Sequence, residues 1–299
     1  LNNTNKSNIT IAQLLTHNAG LKPFIPFWNT YVIKGIPDST IFKKVKSAEY
    51  CYQVADSMYV SRAIKDSILI KIAASPLDST KPYQYSDLGF IILKELVETV
   101  VKCPINRFVD SIFYAPMNLS TMGYLPLDRF PKSKIMPTEH DVLFRMQTVH
   151  GTVHDQTAAL FGGVSGHAGL FSNASDVAIL TQMLLNEGVY AGVRYFKPAT
   201  IHKFTRHWFS QEINNRRSLG FDKPSTEGAS PCAPSASDKS FGHSGFTGTF
   251  VWCDPEYNLS YVFLSNRVYP DAENNRLAKL GIRTEIQELI YQAIKSTIK

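Results

Sequence analysis

Three segments of the chain place apolar residues three and four positions apart, which is the spacing of one buried helix face. The predicted helices begin at or just after Thr10, Ser86 and Ser175. Each is followed by a residue that commonly ends a helix: Gly20, Pro104 and Gly188. We expect the segment between Pro23 and Pro82 to be mostly helical as well, because similar spacing recurs around Ser57 to Ala74.

The pattern changes near the end of the chain to alternating and β-branched residues. Thr249–Cys253 and Leu259–Leu264 read as two strands, and Asp254–Asn258 supplies turn residues between them. The pattern therefore predicts an antiparallel hairpin, with a closing helix over Ala272–Ile298 that packs on the sheet. Because strands and helices do not alternate regularly and no repeat is present, an α+β fold is favoured over a doubly wound sheet.

Composition narrows the classes of function. The 299 residues are 44% hydrophobic and 19% charged, as in ordinary globular proteins. The net charge is +6, but the basic residues are dispersed, so no nucleic-acid partner is expected. No stretch of eighteen apolar residues predicts a membrane span. The four cysteines lie far apart, and neither a metal nor another cofactor is predicted.

Two short motifs carry residues capable of chemistry. The first is Tyr85-Ser86-Asp87, where a loop meets the second predicted helix. A tyrosine there can act as a base towards a serine hydroxyl if nearby cations and the helix dipole lower the pKa of its phenol. The alternative is a tyrosine beside an ordinary Ser or Asp helix cap.

The second motif is the segment 241–248, Phe-Gly-His-Ser-Gly-Phe-Thr-Gly, which leads into the hairpin. Gly245 and Gly248 permit a ligand to approach the backbone closely, and His243 offers a switchable charge or hydrogen bond. A glycine-rich β-bulge with an incidental histidine explains the same residues equally well.

Other catalytic patterns fail on inspection. The Gly-x-Ser-x-Gly motif of α/β-hydrolases breaks at its last position around both Ser165 and Ser244. His150 and His154 are four residues apart but lack the glutamate of a metalloprotease helix.

Taken together with segment 11–21, Ile-Ala-Gln-Leu-Leu-Thr-His-Asn-Ala-Gly-Leu, the two motifs resemble the serine β-lactamase and D-alanyl-D-alanine peptidase superfamily, especially its class C and esterase-like branch. Segments 153–155 and 162–172 are similar to that family too. The resemblance implies an α+β, β-lactamase/transpeptidase-like fold: an antiparallel sheet flanked by helices, plus a mostly helical lobe. We expect one domain over 1–299, with a mainly helical and loop lobe at about 22–240 and the hairpin and closing helix at 241–299.

The same resemblance implies an acyl-enzyme mechanism. Tyr85 manages the proton, and His243 with Asp87 organises the groove. The substrate-binding residues are Ser86, Ser244, Gly245 and Phe246. The Phe246 amide, on the edge strand, forms part of the oxyanion hole. Tyr85 and His243 should then face one groove.

Two departures from the family pattern affect the expected activity. Asp87 stands where the family commonly has Asn, which makes β-lactam turnover doubtful because a carboxylate only accepts hydrogen bonds. The Ser-x-x-Lys motif occurs once, at 296–299, downstream of every other motif, and we interpret that match as chance. We therefore expect the nucleophile, its helix and the first strands to precede Leu1 and the fragment to be inactive alone.

The predicted function is hydrolysis of an ester or a peptidoglycan-type amide by a periplasmic or cell-envelope enzyme. The alternative is a non-catalytic pseudo-enzyme or accessory domain fused to a larger cell-wall glycoside hydrolase. A small-molecule or peptidoglycan-type substrate is expected in the first case, and a fused upstream enzyme domain in the second.

Overall fold

A computed structural model of the chain describes residues 3–78, 80, 83–209, 215–225 and 230–297. The chain divides into two compact units. Unit 1 comprises Leu1–Ile112, Met122–Phe171 and Val268–Ala272, and unit 2 comprises Phe113–Thr121, Ser172–Arg267 and Glu273–Lys299. The expected lobe boundary near residue 240 remains a proposal.

Unit 1 combines helices with short antiparallel strands. Its helices are α1 (Ile11–Leu15), α2 (Ala63–Ala74), α3 (Asp87–Val101), α4 (Ile105–Val109) and α5 (Gln156–Leu160). Its strands are β1 (Val32–Ile33), β2 (Ile36–Pro37), β3 (Phe42–Lys43), β4 (Tyr52–Ala55), β5 (Met58–Val60), β6 (Pro137–Asp141) and β7 (Gln147–His150). The pairings are β1 with β2, β3-β5-β4 in one sheet, and β6 with β7. The buried core draws on α1, α2, α3, α5 and the β3-β5-β4 sheet.

The helix after Thr10 is confirmed, but it is shorter than predicted. Thr10 and Gln13 form a reciprocal capping box at its start. The helix ends at Leu15, and His17 rather than Gly20 takes the first left-handed conformation after it, with φ 56°. Gly20 also has positive φ, and a Cβ there would lie 2.6 Å from the carbonyl oxygen of Asp78. This glycine therefore serves a close approach of two backbone segments.

Helix α3 is confirmed, with Leu88 and Ile91 on its buried side. Ser86 holds the N-cap position, yet its side chain does not cap the helix. The prediction of a mostly helical segment between Pro23 and Pro82 is wrong: its described residues form the strands β1–β5 and a single longer helix, α2. The hairpin β6–β7 also lies in a stretch that the proline and glycine content predicted to be loop.

Unit 2 contains α6 (Ala174–Leu185), α7 (Pro198–Thr205), α8 (Arg276–Lys279) and α9 (Ile282–Thr297). Its strands are β8 (Val189–Tyr190), β9 (Val193–Arg194), β10 (Phe241–Ser244), β11 (Phe250–Asp254) and β12 (Leu259–Phe263). Strands β8 and β9 pair, and the others form an antiparallel sheet in the order β10-β11-β12.

The predicted hairpin is confirmed as β11 and β12, and the predicted helix before Gly188 as α6. The closing helix is interrupted at Gly281, where φ is +60°. Its longer part, α9, reaches the sheet through a hydrogen bond of 2.7 Å from the hydroxyl of Tyr291 to Asp254. Cys232, Phe250, Trp252 and Tyr261 form the buried core beside it.

The α+β class is therefore confirmed, with antiparallel pairing in every sheet that the described residues form. Within those residues no helix is both long and apolar enough to cross a membrane.

Gly20→Ala and Gly35→Ala separate backbone conformation from steric contact. Both glycines have positive φ, 67° and 78°, but nothing lies within 4 Å of a Cβ at position 35. We expect Gly35→Ala to cost about 1–2 kcal/mol of unfolding free energy. Gly20→Ala should cost about 1–3 kcal/mol more, because the Asp78 backbone must move. Urea denaturation measures both, and equal losses would contradict the close approach described for Gly20.

Candidate active site

Tyr85 lies in the segment just before α3 and is held there by His17 of segment 11–21. The two rings are 4.2 Å apart between centroids, at an angle of 34°. The Nδ1 atom of His17 accepts a hydrogen bond of 3.0 Å from the amide of Ser86. Its carbonyl accepts another, of 2.8 Å, from the amide of Gln84. Tyr85 remains 45% exposed, so solvent reaches it while its backbone is fixed on both sides.

Ser86 has a more internal position than the sequence suggested. The residue is 2% exposed, and its hydroxyl donates a hydrogen bond of 2.6 Å to the carbonyl of Lys22. Contact between this hydroxyl and a substrate would require that bond to break. The placement favours a role in fixing the loop that carries Tyr85.

Asp87, the third residue of the motif, borders a small cavity inside unit 1. The cavity has a volume of about 100 Å³. Its walls come from the segment Phe24–Trp28, from α3, and from residues 155–157 together with His167. The charged groups that line it are Asp87, Asp155 and His167. The acid of the Tyr85-Ser86-Asp87 motif therefore borders the same cavity as an acid from segment 153–155 and a histidine from segment 162–172.

Asp155, His167 and Ser165 form a hydrogen-bonded chain beside this cavity. The Nε2 atom of His167 lies 2.8 Å from Oδ1 of Asp155, and its Nδ1 atom lies 2.9 Å from the hydroxyl of Ser165. Asp155 also accepts a bond of 2.7 Å from the amide of Ala158, which caps α5. The order carboxylate, imidazole, hydroxyl is that of a catalytic triad. Ser165, however, is only 1% exposed, so a substrate carbonyl has no access to it.

Burial and mutual contact set the charges around the cavity. Burial raises the pKa of Asp87; the charge of His167 opposes this rise and that of Asp155 adds to it, and the net shift is upward. Burial alone would raise the pKa of Asp155 and lower that of His167. Their hydrogen bond and opposite charges outweigh this, so the pKa of Asp155 falls and that of His167 rises. The charged forms of Asp155 and His167 thus favour each other, and the neighbouring Asp87 carboxyl holds its proton more tightly than a free aspartate does.

His243 lies on β10, where the sequence placed it, but its ring is not a free switch. Its Nδ1 atom is 2.8 Å from the carbonyl oxygen of Ser244. Its Nε2 atom is 3.3 Å from Nη1 of Arg217, a residue whose side chain is 0% exposed. Burial lowers the pKa of His243; Asp222 opposes the shift and Arg217 adds to it. Of the two expected roles, a switchable charge or a hydrogen bond, the structure shows the hydrogen bond, and burial shifts the ring towards its neutral form.

The other predicted residues of this motif surround the end of β10. Ser244 pairs with Phe250 of β11, and the amide of Gly245 donates 2.8 Å to the carbonyl of Thr249. Phe246 lies in the turn after β10 rather than on the edge strand, which corrects its predicted position. Its ring is 66% exposed and lies 4.4 Å from the guanidinium of Arg267.

The candidate site thus consists of two groups, one in each unit: Tyr85, Ser86 and Asp87 in unit 1, and 243–246 in unit 2. Their convergence on one groove stays a prediction. The sequence patterns indicated no role for Asp155, His167, Arg217 or Asp222. The only signal for the first two was their place in segments 153–155 and 162–172, which resemble the family. Among the described residues, no cluster of three or more His, Cys, Asp and Glu could hold a metal ion.

Comparison with known proteins agrees with these motifs. A family model described as beta-lactamase matches residues 1–283. A protein of Salmonella enteritidis PT4 (strain P125109), provisionally named D-alanyl-D-alanine carboxypeptidase, is 32% identical over 246 residues. That alignment covers 75% of this chain and 56% of the relative, so the chain spans about half the length of the curated relatives it matches.

Solved structures show the same fold at lower identity. A penicillin-binding protein homologue from Caulobacter crescentus has a TM-score of 0.54 and 17% identity, covering 88% of this chain and 67% of that one. EstA from Arthrobacter nitroguajacolicus Rue61a has a TM-score of 0.57 and 18% identity, covering 100% of this chain and 76% of that one. The predicted β-lactamase/transpeptidase-like fold is confirmed.

Asp87→Asn tests the charge assignment at the cavity. Because the pKa of Asp87 is raised in the folded protein, its ionisation at higher pH costs the folded state free energy that an amide avoids. We expect the Tm of Asp87→Asn relative to wild type to increase as the pH rises from 3.5 to 7. Calorimetry across that range measures the trend, with the exposed Asp66→Asn as a surface control. A relative Tm that falls as the pH rises would contradict the assignment.

Proposed function

Because this chain belongs to the β-lactamase family, we propose that it acts in serine-dependent hydrolysis of an ester or a peptidoglycan-type amide through an acyl-enzyme. The proposal rests on the position of Tyr85. Its phenol is half-exposed at the start of α3 while His17 and Ser86 hold its backbone and ring. A proton-transfer group needs this combination of access and fixed position.

The substrate classes follow from the relatives. The Salmonella protein is named for cleavage beside D-alanine, an amide of the peptidoglycan type, and EstA belongs to the same fold. We propose the cell envelope as the place of action, because D-alanyl-D-alanine peptides are found there. Asp87 fits recognition of an amide or ester if it keeps its proton, since a neutral carboxyl group both donates and accepts a hydrogen bond, as an asparagine amide does.

We propose that none of the serines at 165, 244 and 296 is the nucleophile. Ser165 is buried and bonded to His167. Ser244 is a strand residue whose neighbour His243 is already engaged at both ring nitrogens. Ser296 lies on α9, where its hydroxyl donates 2.7 Å to the carbonyl of Ala293, and the lysine of its motif lies outside the described residues. The acylated serine would then belong to a Ser-x-x-Lys motif outside residues 1–299.

A labelling experiment tests that assignment. The 299-residue chain is incubated with a fluorescent penicillin and, separately, with an activated ester, and its intact mass is measured. We expect no covalent adduct, because the groove residues supply binding and proton transfer but no attacking atom. Stoichiometric labelling of a serine at 165, 244 or 296, located by peptide mapping, would overturn the assignment.

A longer chain that includes Ser-x-x-Lys should be acylated by at least one of the two reagents. Failure with both would favour the alternative of an accessory domain that binds a ligand or partner of a larger cell-wall enzyme. This comparison separates the two functions without any assumption about the natural substrate.

Tyr85→Phe tests the proton-transfer role in the longer chain. The substitution keeps the ring on His17 and removes only the hydroxyl, so we expect acylation to slow by about 10²-fold or more. Tyr59→Phe on β5 is the matched control and should leave the rate unchanged. Stopped-flow acylation rates measure both, and equal rates for Tyr85→Phe and wild type would exclude Tyr85 as the base.

A further inference from the structure

Arg217 is a fully buried cation whose two terminal nitrogens contact three partners. Its Nη1 atom lies 2.7 Å from Oδ1 of Asp222, and its Nη2 atom lies 3.3 Å from the carbonyl of Gly220. The same Nη1 atom lies 3.3 Å from Nε2 of His243. Since a guanidinium keeps its proton at any accessible pH and has no acceptor, it can only donate to the imidazole.

The geometry therefore specifies the tautomer of His243. A nitrogen that accepts from Arg217 carries no proton, so Nε2 is the bare nitrogen of the ring. Nδ1 must then carry the hydrogen, and it faces the carbonyl oxygen of Ser244 at 2.8 Å, which accepts it. The two partners together define a neutral ring protonated at Nδ1. A ring held in this way has no lone pair available to take a proton from a substrate or a serine.

The backbone keeps Asp222 and Arg217 beside this ring. Asp222 and Gly242 exchange two backbone hydrogen bonds, of 2.7 and 3.1 Å, on the side of β10 away from β11. Gly242 tolerates no side chain, because a Cβ would lie 2.2 Å from the carbonyl of Val251. The residue before His243 is thus pinned between β11 and the segment that carries the Arg217–Asp222 pair.

We propose that Arg217 is a positioning residue for the reaction: paired with Asp222, it holds His243 as the neutral Nδ1–H tautomer, so that His243 aligns the end of β10 instead of acting as a base. Its contribution to catalysis rests on the hydrolase function proposed above, whereas the tautomer can be tested without it. The charged groups that face His243 are Asp222, Arg217 and Arg216.

The tautomer is measured directly in the 299-residue chain. Long-range ¹H–¹⁵N correlation spectra distinguish the two ring nitrogens, and loss of one signal set in His243→Gln assigns the residue. We expect a protonated Nδ1 and a bare Nε2 at pH 7, with the pKa of the ring below the ordinary histidine value of about 6.5. A charged ring or an Nε2–H tautomer at pH 7 would overturn the proposal with no need for an Arg217 variant.

Arg217→Lys and Arg216→Gln form a matched pair. The lysine keeps the charge but loses the planar fork that serves Asp222, Gly220 and His243 together, so the single tautomer should be lost. Arg216 is partly exposed and lies 3.4 Å from the same carboxylate, whereas Arg217 contacts the ring itself, so the loss of Arg216 should leave the tautomer of His243 unchanged. An unchanged tautomer in a folded Arg217→Lys protein would count against Arg217 as its cause.

Acylation kinetics then connect the tautomer with the reaction. In the longer chain that carries Ser-x-x-Lys, we expect Arg217→Lys to slow acylation by the activated ester about tenfold or more. His243→Gln is a neutral hydrogen-bonding replacement, and it should slow acylation by less than the roughly 10²-fold typical of a lost base. An Arg217→Lys rate equal to that of wild type would refute the positioning role. If wild type itself is not acylated while its tautomer is as expected, the hydrolase function fails and the tautomer stands.

Discussion

The arrangement of unit 1 depends on one buried arginine, Arg145, whose side chain is 0% exposed. It donates to the carboxylates of Glu139 and Asp141, each at 2.6 Å, and to the carbonyls of Val153 and His154, each at 2.7 Å. Replacing Arg145 would leave two buried carboxylates and two carbonyls without this donor, and replacing either acid would leave the buried guanidinium without one of its acceptors. Both changes cost folding free energy. The arginine thus ties the β6–β7 hairpin to the segment that ends in Asp155. Asp155 in turn caps α5 and holds His167 against the cavity that Asp87 borders.

Unit 2 also contains a buried arginine paired with an acid, but its effect on the neighbouring histidine is different. Arg217 is equally buried and paired with an acid, but its third contact is a histidine nitrogen rather than a carbonyl. At Asp155 and His167, acid and imidazole meet directly and each favours the charged form of the other. At His243 the arginine comes between acid and imidazole, so that Asp222 neutralises the guanidinium and the ring stays neutral. The same residue types therefore give one charged pair and one neutral ring, according to which group the imidazole touches.

The elements predicted well are those whose signals are local. The capping box of Thr10 and the turn residues between β11 and β12 act within a few positions, and sequence spacing reveals them. The β3-β5-β4 sheet and the β6–β7 hairpin were missed, because their strands are only 2–5 residues long and too short to show alternation. Within the site, the residues predicted from sequence are those of the two motifs, Tyr85-Ser86-Asp87 and 241–248. Arg217 and Asp222 were missed because they are joined to His243 only by folding, 26 and 21 positions apart in sequence.

The family position commonly held by Asn is occupied here by Asp87, and the structure supplies a physical reason why this change need not remove amide recognition. A carboxylate exposed to water would remain charged and offer acceptors alone. Asp87 instead borders a small cavity that it shares with Asp155 and His167, whose side chains lie 2.8 Å apart. Burial and the negative charge of Asp155 raise the pKa of the Asp87 carboxyl, and the charge of His167 opposes this rise only in part. The recognition proposed for Asp87 is then coupled to the Asp155–His167 pair, because any change that removes the charge of Asp155 also changes the proton affinity of Asp87.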